Sequence, residues 1–304
     1  MSRFSGNWAS LLLPINSDDS IDLMRLSDAI DVLIASGVDG LYSNGTACEF
    51  YAQSEDEFDA IQNLLAEKCV PASQPFMIGA SHTDARQSLA RLKRAVNLGP
   101  DAIQVILPDW QPVSLDEGRD FLLAASEAAA GIPIVLYNPP HAKRVLTPGQ
   151  LAQVTQDTSV VAIKLALGGE GWFDQARQHL GHLDVFVPGH HLATGRREGV
   201  AAGAFSNVAC LSPGGAQRWT DMMANDLTRA LAIEKRIQAF MTEHILPVAN
   251  AGYTNAALDK LLASIGGWAD VGTRLRAPYR SIDPAVAIAL RPVANAMIPE
   301  IMLP

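Results

Sequence analysis

Eight times along this chain a short run of branched or aromatic residues gives way to a turn signal, and then to a longer segment with apolar residues at helical spacing. The strand candidates are 8–13, 40–43, 76–79, 102–107, 134–137, 160–164, 184–187 and 203–207, each followed by a helix candidate. Eight such units within about 225 residues predict an α/β fold of the (β/α)8 TIM-barrel type. A doubly wound sheet needs fewer strands and carries a glycine fingerprint after the first, where this chain has Pro14-Ile15-Asn16-Ser17. Helix starts are legible at Asp22, at Ser54 with Glu57, at Asp84, at Ser114 with Glu117, and at Thr147 before Pro148. Gly37, Gly99, Gly131 and Gly181 are expected to close helices in the left-handed conformation. Beyond residue 225 the strand candidates stop and helical segments follow at 226–243, 255–265 and 283–296. The expected organisation is a barrel over 1–225 with a C-terminal helical extension over 226–304.

With 304 residues, 48% of them hydrophobic and 18% charged, the chain can fill one large barrel core and an appendage. Lys and Arg total 23 against 32 Asp and Glu, so the net charge of -9 offers no footprint for phosphate backbones or anionic lipid. Neither nucleic acid nor a membrane is an expected partner. Cys48, Cys69 and Cys210 are odd in number and far apart, which suits a reducing compartment. The opening residues show no basic leader before an apolar stretch, and nowhere do 18 apolar residues run uninterrupted. The expected location is cytoplasmic.

In such barrels chemistry gathers at the C-terminal ends of the strands. Lys164 ends the otherwise apolar run Val160-Val-Ala-Ile163, and alternation puts it on the face of Ala162, opposite Val161 and Ile163, which are expected against the helices. A lysine inside a low-dielectric barrel loses part of its preference for the ammonium form, and a neutral amine can attack a ketone to form a Schiff base. Read from position alone, it is equally a lysine that reaches the barrel mouth or pairs with an acid. Tyr137, sharing a face with Val135 and Pro133, points inward at the same height and can shuttle a proton beside an iminium. Asn44-Gly45-Thr46-Ala47 supplies a hydroxyl and a tight turn whose N–H groups can hold a carboxylate. Of the adjacent His190 and His191, one is expected to line the site, since neighbours point apart. His82 and Trp110 also stand at strand ends. Asp259, Lys260, Arg274, Arg276 and Arg280 are expected on a solvated face or a subunit contact, without chemistry.

The pieces Asn44-Gly-Thr-Ala-Cys-Glu49, Tyr137-Asn-Pro-Pro140 and Val161-Ala-Ile-Lys164, in this order and spacing, resemble the N-acetylneuraminate lyase and dihydrodipicolinate synthase superfamily of class I aldolases. The likeness runs from Leu13-Pro14 through Gly203-Ala-Phe-Ser206 to the helical tail. It implies a lyase acting on a 2-oxo acid, with Lys164 forming the imine, Tyr137 relaying protons and Thr46 orienting the phenol. The resemblance further implies carboxylate binding by the backbone of the Gly45, Thr46 and Ala47 turn; Trp110, Asn138, His190, His191 and Phe205 are expected along the rest of the substrate. It implies no cofactor beyond the covalent imine, and a homo-oligomer, dimer or tetramer.

The departures bear on the substrate. The turn lacks one hydroxyl and one glycine of the usual Gly-Thr-Thr-Gly-Glu, and the second relay tyrosine falls at Asp109-Trp110, whose indole cannot relay a proton. Where the synthase branch places an arginine after its Tyr-Asn-x-Pro motif, this chain has His141-Ala142, and Leu165 follows the lysine. The expectation is aldol cleavage or dehydration of a sugar-derived 2-oxo acid rather than dihydrodipicolinate synthesis. Two rival readings stand beside it: a barrel with a divalent ion on His82 and His190, and a relative that binds 2-oxo acids without turnover.

Overall fold

A computed structural model describes residues 4–303. Strands β1 (Gly6–Ser10), β2 (Gly40–Tyr42), β3 (Phe76–Gly79), β4 (Ala102–Ile106), β5 (Ile134–Asn138), β6 (Val160–Leu165), β7 (Asp184–Pro188) and β8 (Ala201–Phe205) form a closed parallel barrel in sequence order. Between them run α1 (Leu23–Ala35), α2 (Glu55–Ala72), α3 (Ala85–Val96), α4 (Leu115–Ala128), α5 (Pro148–Val154), α6 (Trp172–His179) and α7 (Leu192–Arg197). After β8 come α8 (Asn207–Leu211) and α9 (Pro213–Asn225). The fold is the (β/α)8 barrel that the alternation predicts.

Ser54, Ser114 and Thr147 start their helices with reciprocal capping boxes, and Asp22 and Asp84 accept from backbone N–H groups of α1 and α3. Gly37, Gly99 and Gly131 are left-handed, with φ of 71°, 65° and 93°. Gly181 is not; α6 ends through Leu180, whose N–H bonds the Ala176 carbonyl. Two strands are displaced from their expected spans. The first begins at Gly6 and stops at Ser10, leaving Leu11 to Leu13 as buried extended chain, and the last stops at Phe205 because Ser206 turns to cap α8 through the Ala209 N–H.

The barrel interior is aromatic. Trp8, Tyr42, Met77, Val135, Phe186 and Phe205 fill it, with Phe186 and Tyr42 packed 4.6 and 4.8 Å, ring centre to ring centre, from Phe205. A larger cluster fills the space between strands and helices, and runs on without a break into the extension. The β5–β6 register shifts between Ile134 and Val135, which pair with Val160 and Ala162. Val161 is therefore the extra residue of a bulge, packed on the interior cluster rather than on the helices as alternation predicts. Ile163 does face the helices, and Lys164 faces inward with Ala162.

The extension comprises α10 (Leu227–Phe240), a π-helical turn (Met241–Ile245), α11 (Leu246–Asn250), α12 (Asn255–Gly266), α13 (Pro284–Met297) and α14 (Pro299–Met302). The expected helix 226–243 thus continues past its predicted end. Pro247 lacks the N–H that would bond back four residues, and the wider turn accommodates the loss. Helix α12 lies close against α8: a Cβ on Gly266 would stand 1.7 Å from the Leu211 carbonyl oxygen, so only glycine permits the approach.

Charges on α12 are not solvated, contrary to the sequence expectation. Asp259 and Lys260 are buried, and the Lys260 ammonium lies 2.5 Å from Glu49 Oε1 and donates to the Arg274 carbonyl at 2.6 Å. Arg276 is also largely covered, bonded to Glu57 and to the Ala52 carbonyl, while Arg274 reaches Asp19 at the surface. The Glu49–Lys260 pair ties the extension to the turn after β2. Removing one member leaves a buried charge without its partner, so Lys260→Met is expected to lower unfolding free energy by about 3–5 kcal/mol in denaturant titrations. The double variant Glu49→Gln/Lys260→Met is expected to recover much of that loss; equal or greater destabilisation of the double variant would contradict the pairing.

Candidate active site

At the C-terminal end of the barrel a cavity of about 200 Å³ is walled by side chains from β2, β5, β6 and β8, the turns after β2 and β7, and helices α8 and α12. The register pairs Tyr137 of β5 directly with Lys164 of β6, as their inward faces required. Lys164 Nζ lies 3.4 Å from the Tyr42 hydroxyl and sits over the rings of Tyr137, Tyr42 and Phe205, at 4.2, 4.7 and 5.0 Å from their centres. These π faces attract a cation, yet they replace the water that would solvate it.

Burial pulls the Lys164 ammonium down to a pKa of about 8, against the opposing pull of the Asp259 carboxylate and the Cys210 thiol. Burial likewise pushes the Tyr137 phenol up to about 12, although a hydrogen bond with Thr46 works the other way. The Thr46 and Tyr137 hydroxyls are 3.4 Å apart. Tyr42 and Cys210 are raised well above their ordinary values by the same loss of water.

The loop after β2 holds two 3-10 turns, Thr46–Cys48 and Phe50–Ala52; Asn44 precedes the first and Glu49 joins the two, both with φ near 50°. The internal bonds of the first turn are donated by Cys48 and Glu49. The N–H groups of Thr46 and Ala47 stand at its start, ahead of that pattern, beside the cavity that both residues line. Gly45 backs onto the amine: a Cβ there would be 2.8 Å from the Tyr42 ring and 3.4 Å from Lys164 Nζ. A side chain at that position would crowd both.

The histidine pair divides as neighbouring side chains should. His190 lines the cavity, with Asn207 Nδ2 2.9 Å from its Nδ1, and burial lowers its pKa so that the ring is neutral. His191 leaves the lysine cavity, pairs with Gln238 at 3.0 Å and is brought down to about 4 by burial and by His190. Phe205 lines the cavity beneath the amine. Asn138 does not offer its amide to a ligand: its Nδ2 donates to the Arg144 carbonyl and its Oδ1 accepts the Leu146 N–H, pinning the loop after β5. Trp110 stands apart from the cavity, 79% exposed, with Lys143 over its ring. His82 accepts the Asp84 N–H at the start of α3 and shares no cavity wall with His190, so the histidine pair of the metal reading is not assembled.

Thr46 and Tyr137 also border a second, largely apolar chamber of about 190 Å³, walled by Phe50, Ile106, Leu107, Pro112 and Val113, with His141 and Arg144 at its polar side. The Arg144 guanidinium there donates to the Val113 carbonyl at 2.7 Å.

Among the residues lining the lysine cavity, the sequence reading assigns no place in the site to Tyr42, Cys210, Asn255 and Asp259. Tyr42 could have been found by applying to β2 the alternation used for β5 and β6. Asp259 left a fainter signal, an acid set in the apolar run Ala-Ala-Leu-Asp-Lys-Leu-Leu-Ala.

Comparison with known proteins agrees with this architecture. The dihydrodipicolinate synthetase family matches residues 3–292. An N-acetylneuraminate lyase of Citrobacter koseri is 28% identical over 193 residues, covering 60% of this chain and 64% of the lyase; another from Escherichia fergusonii is 29% identical over 188 residues, covering 61% and 62%. The matched stretch thus spans just under two thirds of these relatives. Among solved structures, a prophage protein of the dihydrodipicolinic acid synthase family from E. coli K12, in complex with pyruvate, superposes with a TM-score of 0.86 at 21% identity over 97% of this chain and 99% of its own. The N-acetylneuraminate lyase of Fusobacterium nucleatum gives 0.82 at 17% identity over 97% and 99%. Matched over nearly its whole barrel and extension, the chain belongs to the dihydrodipicolinate synthetase family.

Proposed function

We propose that the protein is a class I lyase that forms an imine between Lys164 and the 2-ketone of a 2-oxo acid. The observation that carries this reading is a half-buried lysine whose amine sits over three aromatic rings, register-paired with a tyrosine whose hydroxyl meets Thr46. The neutral amine attacks C2, water leaves, and the iminium withdraws electrons from C3. The C3–C4 bond then breaks, or a hydroxyl departs from C4. Tyr137 carries the proton, and its high pKa keeps it a phenol that gives and regains one without resting as phenolate. The substrate carboxylate lies against the Thr46 and Ala47 N–H groups.

For the tail, His190, Asn207 and Asn255 supply hydrogen-bonding groups on the far side of the lysine, which suits a hydroxylated, sugar-derived chain. The names of the curated relatives support the same class. Dihydrodipicolinate synthesis is the weaker assignment, because Arg144 is bonded to Val113 and Ala142 stands where that branch carries its arginine.

Incubation with pyruvate and borohydride is expected to leave one stable adduct on the intact protein, absent from Lys164→Ala. No adduct with pyruvate or longer 2-oxo acids would overturn the proposal. Because the amine becomes neutral as pH rises through about 8, the rate of adduct formation should climb over that interval rather than near the ordinary lysine value. Tyr137→Phe is expected to retain the adduct while slowing exchange of the pyruvate methyl protons with D2O by about 10²-fold or more, followed by NMR. Unchanged exchange would remove the phenol from the relay.

A further inference from the structure

Asp259 is the one carboxylate among the described residues that line the lysine cavity. It comes from the first turns of α12, is 6% exposed, and is fixed by Asn255 Nδ2, which donates to its Oδ2 at 2.8 Å. A carboxylate carried so deep, facing a cavity that also holds an amine, is costly unless it has a task or a partner. The salt link that anchors α12 is made by its neighbour Lys260, so Asp259 is not required for docking the helix.

We infer that Asp259 is the counter-ion of Lys164 and holds the proton that the amine gives up before it attacks. This inference rests on the imine chemistry proposed above. In the resting site the pair carries one ammonium and one carboxylate. The two groups line one cavity without a direct contact within 4.0 Å, so the proton passes by way of cavity water, yielding a neutral amine and a carboxylic acid, and the nucleophile is made without a charge leaving the barrel. The amine adds to C2 of the 2-oxo acid, and the alkoxide takes a proton from the adding nitrogen to give the carbinolamine. The Asp259 acid then protonates the departing hydroxyl, water leaves, and the C=N bond forms as an iminium facing a restored carboxylate. The proton that left the ammonium departs in the water, and the charge of the pair is the same before and after.

The groups around Asp259 leave this task to the pair. Tyr42, Tyr137 and Tyr51 are raised by burial, and so is Cys210, which keeps all four uncharged near neutrality. Cys48 is pushed up to about 12 in the same way, and burial lowers His190 so that its ring is neutral. Glu49 neutralises Lys260, and Glu57 neutralises Arg276. Burial raises Asp259 itself to about 7 while Lys164 opposes the rise, which brings the acid within reach of the amine's own value.

The test compares Asp259→Asn with the unaltered protein, using pyruvate as probe. Loss of the anion removes what holds the ammonium, so the pH midpoint of borohydride trapping should move down by about one unit or more. Exchange of the pyruvate methyl protons in D2O, which passes through the iminium, should slow by about tenfold or more. Easier deprotonation with slower exchange is a combination that a structural role does not produce. Asp259→Glu should restore part of the exchange. If Asp259→Asn does not fold, as judged by thermal unfolding, Asp259→Ser takes its place. A midpoint that stays put or rises, or exchange at the unaltered rate, would overturn the inference. Absence of any adduct on the unaltered protein would instead overturn the imine chemistry beneath it.

Discussion

The withdrawal of one amine from water is the constraint around which the rest of this molecule is arranged. An ordinary exposed lysine at pH 7 is neutral in fewer than about one molecule in a thousand, whereas an amine with a pKa of about 8 is neutral in roughly one in ten. Lys164 reaches that state because Tyr42, Tyr137 and Phe205 surround it with ring faces that attract a cation less well than water solvates one. Beneath it the barrel is filled by Phe186, Val135 and Ala162, all fully buried.

Each layer of the fold contributes to holding that amine in place. The bulge at Val161 shifts β6 by one residue against β5, and Lys164 and Tyr137 become partners across the sheet at the barrel mouth. Gly45 leaves room where any Cβ would press on Tyr42 and the amine. The extension is part of the site rather than an appendage: α12 supplies Asp259 to the cavity, and by way of Lys260 and Glu49 it braces the turn that presents Thr46. The continuous core between barrel and extension makes these contacts a property of one folded body.

The sequence made the barrel legible because its evidence is local: capping residues, turn glycines and strand-length apolar runs repeat eight times, and each repetition supports the others. Lys164, Tyr137 and Thr46 were legible for a related reason, since they end strands or open the turn after one, and alternation gives their direction. The extra residue in β6 was not, because a bulge depends on how two strands register and leaves no mark in either alone. Asp259 and Lys260 were misjudged as surface charges. Charged residues on a helix are ordinarily solvated, and only the packing of α12 over the barrel mouth turns one toward an amine and the other toward Glu49. Trp110, a strand-end aromatic by sequence, lies on the surface of this chain because the loop after β4 carries it away from the lysine cavity.

The central claim is that Lys164 titrates far below an ordinary lysine, and NMR of protein carrying 13C-labelled lysine reads it directly. One of the six lysine side chains should titrate near pH 8, vanish in Lys164→Ala and lose its titration when pyruvate is added. A Lys164 resonance that titrates at about 10.4, with or without pyruvate, would contradict the account.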